Sequence, residues 1–382
     1  MTFSSFTPVS GFLGGGLIGA AAGTLLLFNS DILGASGIAS TTALSPRKAL
    51  TDPSQQWKLV FLGSLLLTTT VYFGPTFELL QDRKHASVMG NILAGLLVGF
   101  GTKLGNGCTT GHGICGLARL STRSFAAVCT FMGSAVVSTY LTSESGPLAA
   151  QTAFLRDSSG AAEDRLEWGG SLLTLSVVLA AMFSALRQRG KVVSTDVADA
   201  DQRHSATSKT APAAAAGALF SAGLHTSGMI YPAKVNGFLD VASIRTGLWD
   251  PTLAAVMGGG LIVSWLAYQF VDVSSDCGCN EKKPTVQPQT TIAGSQVRCR
   301  YPLVKPLALP EGSKFDLPTS TLIDFNLVAG AALFGTGWGM GGLCPGPAIL
   351  LAGLGYPSVL TQWWPAFFVG SYTANAYKSR SQ

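Results

Sequence analysis

Apolar residues gather in runs along this chain, and short polar segments separate the runs. Nine of the runs predict membrane-spanning helices, because about 20 apolar residues cross a bilayer. They cover residues 11–28, 57–77, 88–100, 125–140, 168–186, 212–230, 251–271, 322–338 and 363–377. Runs 32–44 and 348–354 are too short to cross, and the first of them predicts a re-entrant segment. The pattern predicts an all-α polytopic membrane protein with broken or re-entrant helices.

One segment, GTKLGNGCTTGHGICGLAR at residues 101–119, interrupts the apolar pattern. Six of its nineteen residues are glycine, and each glycine disfavours a continuous helix by about 1 kcal/mol relative to Ala. The segment also carries Cys108, His112 and Cys115. In lipid, irregular backbone is tolerated only where it is buried in protein or lines a water-filled cavity. The segment therefore predicts the wall of a pathway.

The second half of the chain repeats features of the first. Phe-Gly-Thr at 100–102 recurs at 334–336, where it opens a second glycine-rich segment, GTGWGMGGLCPGP at 335–347. Residues 14–38 and 217–240 both hold a Gly/Ala-rich helix followed by a Ser-Gly pair. Five predicted spans separate the two starts, so the second half enters the membrane from the opposite side. This arrangement predicts inverted repeats, with a binding site between them near the midplane.

Polar segments set the predicted domain boundaries. We predict a first membrane repeat over 1–187, a polar cytoplasmic linker over 188–211, and a second membrane repeat over 212–382. The second repeat contains a polar insertion, 272–321, whose Cys277, Cys279 and Cys299 we interpret as reduced loop cysteines.

The second cysteine of the repeated element lies at a predicted helix start. Cys344 precedes Pro345, and proline is favoured in a first helical turn, where its missing N–H is no loss. The helix dipole there attracts anions and lowers a thiol's pKa. Two such elements of opposite orientation predict a site for a small anion. The candidate pathway residues are Cys108, Cys344, Cys115, His112, Gly107, Thr109, Gly111, Gly342, Pro345 and Gly346.

Two alternatives belong to other function classes. The i, i+4, i+7 spacing of Cys108, His112 and Cys115 would place a zinc or copper site on one helical face, although the intervening glycines disfavour that helix. A membrane sulfurtransferase would carry sulfane sulfur on Cys108 or Cys344 as a persulfide, but the sequence offers no general base or second-substrate domain for it.

Composition and charge agree with a lipid bilayer as the surroundings. The chain is 47% hydrophobic and 12% charged, with a mean hydropathy of +0.36, and its net charge of +5 is too diffuse to predict a nucleic-acid partner. If the N-terminus lies outside, the inner loops hold 17 Lys or Arg against 6 in the outer loops. The positive-inside rule then predicts an outside N-terminus and a cytoplasmic C-terminus.

GCTTGHGICGLARLSTRS at 107–124 resembles the signature of the YeeE/YedE sulfur-transport family. Residues 335–348 resemble its partner motif, and 14–38 resemble its opening segment. The resemblance implies an integral plasma-membrane protein, not an enzyme, whose two repeats form an hourglass. It would take up thiosulfate or a related sulfur anion along a cysteine-lined path. Carried over by position, it implicates Cys108 and Cys344. No cofactor or bound metal is expected, and a cytoplasmic sulfur-accepting protein is a candidate partner.

Overall fold

In the computed structural model, the protein is built from packed helices. The residues it describes are 6–52, 54–73, 86–143, 147, 197–271 and 320–381, with 306, 307, 309, 315, 317 and 318. The α-helices are α1 Pro8–Thr24, α2 Ala35–Leu44, α3 Pro46–Thr51, α4 Gln56–Thr68, α5 Val88–Leu104, α6 Thr122–Thr142, α7 Val197–Thr226, α8 Pro232–Leu239, α9 Thr252–Tyr268, α10 Phe325–Gly341, α11 Pro345–Gly353 and α12 Trp364–Ser381. Four π-helices, Leu25–Asn29, Thr69–Phe73, Thr109–Gly116 and Val359–Trp363, and the 3₁₀-helix Val241–Thr246 complete the described elements.

The apolar runs within the described residues are helical, and both predicted breaks are present. The first break follows Leu104 and the second follows Gly341. One prediction was wrong: we expected 188–211 to be a loop, but residues 197–211 are helical, because α7 begins at Val197. The predicted span 168–186 and most of the insertion 272–321 lie outside the described residues.

Two described helices, α1 with its π-helical extension and α6, are long and apolar enough to cross a membrane. The bent pairs α5 with Thr109–Gly116 and α10 with α11 bring the number to four if each pair forms one span. The described part of the chain is thus built from helices, some of them long and apolar enough to span a membrane, while the count of nine spans stays a prediction.

Helices of the first half and helices of the second half make equivalent packing contacts. The helix α1 packs on α9, and α7 packs on α4. Similarly, α5 packs on α12, and α10 packs on α6. The pairs α1–α7 and α5–α10 join the halves directly. If α1 is exchanged with α7, α4 with α9, α5 with α10 and α6 with α12, the same set of helix contacts results.

Close helix contacts at glycine residues show the same equivalence of the two halves. Where α5, α6, α10 and α12 cross, a Cβ added at certain glycines would collide with a residue of the neighbouring helix. These glycine contacts occur in pairs: adding 236 to the residue number of the first-half member of one contact gives the second-half member of the other. The pairs are Gly101 on Phe334 with Gly337 on Val98, Gly99 on Phe367 with Gly335 on Phe131, and Gly330 on Gly105 with Gly341 on Ala94. Small residues let helix backbones approach closely in membranes, so the glycines define these crossings.

The recurring tripeptide therefore does not mark equivalent positions. Gly101 of the first Phe-Gly-Thr lies against α10, whereas Gly335 of the second lies against α6. The Ser-Gly pairs also differ, since Ser36 lies within α2 and Ser227 lies in the turn after α7. In contrast, Cys108 and Cys344 lie 236 positions apart, the same shift that relates the paired glycine contacts.

Candidate functional site

The first break carries the chain from α5 into a short π-helix. After Leu104, Asn106 takes a left-handed backbone with φ of 59°, and Thr109–Gly116 leaves at 46° to α5. Lys378 Nζ donates to the Lys103 carbonyl and to Asn106 Oδ1, both at 2.8 Å. The lysine satisfies a carbonyl that the end of α5 leaves without a helical partner. Cys108 caps the π-helix in extended conformation.

The second break turns at a single glycine. Gly342 has φ of +61°, and a Cβ there would lie 2.7 Å from both Asn236 Oδ1 and the Pro232 carbonyl. Cys344 then caps α11 in extended conformation, with Pro345 in the first turn, and α11 lies at 42° to α10. The prediction that Cys344 stands at a helix N-terminus is confirmed.

The two breaks meet at the starts of their short helices. Thr109 Oγ1 donates to Cys344 Sγ at 3.8 Å, across the two halves of the chain. Cys108 Sγ lies 3.2 Å from Thr110 Oγ1, which also accepts from the Ala35 backbone N–H at the start of α2. Cys108 is buried and Cys344 is half-buried. The structure thus brings together both implicated thiols with two threonine hydroxyls.

His112 and Cys115 hold the first break against its neighbours. His112 Nδ1 lies 3.1 Å from Ser124 Oγ, and its Nε2 lies 3.2 Å from the Gly105 carbonyl. Cys115 Sγ donates to the Leu33 carbonyl at 3.7 Å. These bonds tie the π-helix to α6, to the end of α5 and to the segment before α2. Among the described residues, no three His, Cys, Asp or Glu side chains converge as metal ligands would.

The remaining candidate residues shape the backbone around the two cysteines. A Cβ at Gly107 would lie 2.6 Å from the His112 ring, so the imidazole packs over this glycine. A Cβ at Gly346 would lie 3.0 Å from the Phe220 ring, whereas one at Gly111 would meet nothing within 4 Å. Gly107 and Gly346 therefore permit close packing, and Gly111 faces open space.

A cavity of about 70 Å³ lies beside this junction, walled by both halves of the chain. Of the candidate residues, Thr109 and Cys344 line it. The other lining residues are Ile18, Thr110, Ile114, Val128, Phe131, Met132, Phe220, Leu224, Met229, Val235, Leu253, Val256, Met257, Trp338 and Pro347. Among these side chains, the only hydrogen-bond donors are the hydroxyls of Thr109 and Thr110, the Cys344 thiol and the Trp338 indole N–H.

Sequence reasoning missed the methionines and the tryptophan in this wall. Met132, Met229 and Met257 come from three separate elements, and no sequence spacing relates them. Trp338 lies inside the quoted segment 335–347, and its position within six residues of Cys344 was the one available signal.

Family models match both halves of this chain. A family model described as "Sulphur transport" matches residues 5–137, and one described as a family of unknown function (DUF6691) matches 210–286 and 291–372. A "Probable transporter" of Xylella fastidiosa strain Temecula1 is 38% identical over 148 residues, which are 39% of this chain and 76% of the relative. A second from that strain is 40% identical over 123 residues, 31% of this chain and 84% of the relative. Strain 9a5c has one that is 39% identical over 145 residues, 37% of this chain and 75% of the relative.

Proposed function

This chain is a membrane transporter of the YeeE/YedE sulfur-transport family, and we propose that it carries thiosulfate or a related small sulfur anion past Cys108 and Cys344. The contact between Thr109 and Cys344 carries the proposal, because it joins the two glycine-broken elements at one point. We further propose that it works in the plasma membrane with its N-terminus outside, delivering sulfur to a cytoplasmic acceptor protein.

The inverted repeat is part of the proposal. The exchange of helix contacts and the constant shift of 236 positions between reciprocal glycine contacts both support it. In such a repeat the substrate site lies at the repeat interface, where half-helix N-termini point at anionic groups. The N-cap positions of Cys108 and Cys344, each at the start of a short helix, support this assignment.

Neutral groups suit the passage of an anion through such a site. Conduction needs binding that is favourable enough for entry and weak enough for release. A thiol is a weak S–H donor with a polarisable sulfur, and the hydroxyls of Thr109 and Thr110 supply further modest hydrogen bonds beside the cysteines. We therefore assign Cys108 and Cys344 the role of transient contacts for the sulfur of the ligand.

Uptake of labelled thiosulfate into liposomes tests the function. Cys108→Ala and Cys344→Ala should each reduce the initial rate at least about tenfold, as expected when one binding contact worth 1.4 kcal/mol or more is lost. Cys129→Ala is the matched control, because Cys129 is exposed on α6 and outside the junction. Wild-type rates in both junction variants would refute the pathway, and no uptake by the wild type would refute thiosulfate as substrate.

A further inference from the structure

The start of α2 offers hydrogen-bond donors that the described part of the protein does not use. An α-helix leaves its first N–H groups without helical partners, and Gly34, the N-cap of α2, has no side chain that could accept from them. The Ala35 N–H donates to Thr110 Oγ1. The N–H groups of Ser36 and Gly37 make no hydrogen bond within the described residues. Two donors at the positive end of the helix dipole are therefore free.

The hydroxyl of Ser36 is a third unused donor in the same turn. Ser36 is 3% exposed, and its Oγ makes no hydrogen bond with any described residue. The oxygen is not fully enclosed by the described atoms, unlike the indole nitrogen of Trp338. Ser40, one turn later, is 4% exposed and donates to the Gly37 carbonyl. Because a buried hydroxyl without a partner is destabilising, the unpaired Ser36 beside two free N–H groups favours a ligand that accepts hydrogen bonds.

Open space surrounds this first turn. A Cβ added at Gly34 or Gly37 would meet nothing within 4 Å, and Gly37 is exposed. A Cβ at Gly111 of the π-helix would also meet nothing within 4 Å. None of these three glycines has a positive φ, so neither the backbone conformation nor the packing of the described residues requires them. Glycine at such positions lets a ligand approach backbone N–H groups closely.

Thr110 connects the start of α2 to the cysteine junction. Its Oγ1 accepts from the Ala35 N–H at 3.2 Å and lies 3.2 Å from Cys108 Sγ. The free N–H groups follow Ala35 directly in the chain, so a small anion that accepts from them lies close to Cys108. The acid nearest to α2 on its N-terminal side, Asp31, pairs with Lys209 at 3.1 Å. That ion pair reduces the repulsion between Asp31 and an anion at this turn.

The equivalent helix of the second half offers fewer free donors. The exchange of helix contacts that pairs α1 with α7 also pairs α2 with α8, because α2 packs on α4, α5 and α12 while α8 packs on α9, α10 and α6. Helix α8 begins at Pro232, which has no N–H, and the Lys234 N–H donates to the Tyr231 carbonyl. The two free N–H groups are thus a property of α2 and do not follow from the repeat.

We propose that the first turn of α2 is an oxyanion-binding position beside Cys108, in which the N–H groups of Ser36 and Gly37 and the Ser36 hydroxyl donate to oxygens of the substrate. Helix N-termini bind anions through such donors and through the helix dipole. This inference rests on the proposed function for the substrate, and it adds which end of the ligand is held at which element. Thiosulfate places its oxygens on α2 and its terminal sulfur towards Cys108.

A matched pair of serine variants tests the hydroxyl. Ser36→Ala should weaken equilibrium binding of thiosulfate to detergent-purified protein about tenfold, as expected when one hydrogen bond to a charged group is lost. Without thiosulfate, its unfolding midpoint should match that of the wild type, because this hydroxyl has no described protein partner to lose. Ser40→Ala is the control, since it removes a similarly buried hydroxyl from the next turn. Its thiosulfate affinity should stay within about twofold of the wild type.

A glycine variant tests the open space independently of the hydroxyl. Gly37→Ala should keep or raise the unfolding midpoint, because alanine is favoured in a helix and its Cβ would meet no described atom. The Cβ leans towards the helix N-terminus and narrows the approach to the free N–H groups, so thiosulfate binding should fall at least about fivefold. Gly133→Ala on α6, where the Cβ position is equally open, should bind as the wild type does. Wild-type affinity in Ser36→Ala and Gly37→Ala, or equal losses in the two controls, would overturn the inference.

Transport measured on the same proteins separates the two proposals. Wild-type protein that binds thiosulfate with the predicted losses in the variants but does not transport it would refute the proposed function and leave the binding position standing. Wild-type protein that transports thiosulfate, with full affinity in Ser36→Ala and Gly37→Ala, would refute the binding position alone. Absence of both binding and transport would refute both.

Discussion

At the scale of single residues, His112 shows how the first break is held. Both ring nitrogens are engaged, one with Ser124 Oγ and one with the Gly105 carbonyl. The imidazole therefore joins the π-helix to the helices before and after it. We therefore expect His112 to position Cys108 and Thr109, and its assignment to the pathway stays a prediction.

Replacing His112 should therefore act on stability first. His112→Ala leaves the Gly105 carbonyl and the Ser124 hydroxyl without this partner, and a lost buried hydrogen bond costs about 1–3 kcal/mol. Thermal unfolding in detergent should show a lower midpoint. In a double-mutant cycle, Ser124→Ala should cost less in the His112→Ala background than in wild type, because the shared bond is already absent. A variant with unchanged stability but no uptake would instead make His112 a ligand contact.

At the scale of elements, the two breaks reach similar geometry by different local means. The first uses a longer linker, in which Asn106 is left-handed and Lys378 of α12 caps the end of α5. The second uses the left-handed turn at Gly342, packed against α8. Each ends on an extended cysteine that caps the following half-helix. The positions of the two cysteines are thus set by how each helix ends.

Gly342→Ala tests the second turn. A left-handed backbone costs an L-residue about 1–2 kcal/mol, and the new Cβ would also collide with Asn236 and Pro232. We expect a clear drop in the unfolding midpoint and lower thiosulfate uptake, because Cys344 shifts with the turn. Gly133→Ala in α6 is the control: nothing lies within 4 Å of its Cβ position, so it should be neutral or stabilise by up to about 1 kcal/mol. Equal effects of the two substitutions would contradict this account of the turn.

At the scale of the whole molecule, the exchange of contacts predicts the topology. The segments that lead into α5 and α10 are equivalent under the 236-position shift, with Ala86 before one helix and Leu322 before the other. In an inverted repeat, these two residues lie on opposite sides of the membrane. The excess of positive charge in the predicted inner loops predicts that Ala86 lies outside.

Single cysteines at these two positions test the topology in intact cells. The background should lack Cys129 and the loop thiols Cys277, Cys279 and Cys299. An impermeant maleimide should label Ala86→Cys directly and Leu322→Cys only after the membrane is opened. Labelling of both from outside would make the halves parallel, and the half-helices could not then meet from opposite sides at one midplane site.

Signals that are local in the chain were enough to predict the helices and their breaks. Apolar length predicted the helical runs, glycine density predicted the interruptions after Leu104 and Gly341, and Pro345 predicted that Cys344 begins a helix. The motifs around Cys108 and Cys344 also identified the family. Each of these properties depends on residues within a few turns of each other, so the sequence alone carries it.

Contacts between distant segments were decided only by the tertiary structure. The sequence suggested that the two Phe-Gly-Thr tripeptides are equivalent, with Gly101 corresponding to Gly335. The helix contacts instead make Gly99 equivalent to Gly335 and Gly101 equivalent to Gly337. The cavity wall likewise draws Met132, Met257 and Trp338 from three helices with no common spacing. Which face a glycine or a methionine presents to a neighbour depends on where that neighbour crosses. Packing of the whole bundle sets that crossing, and no local pattern encodes it.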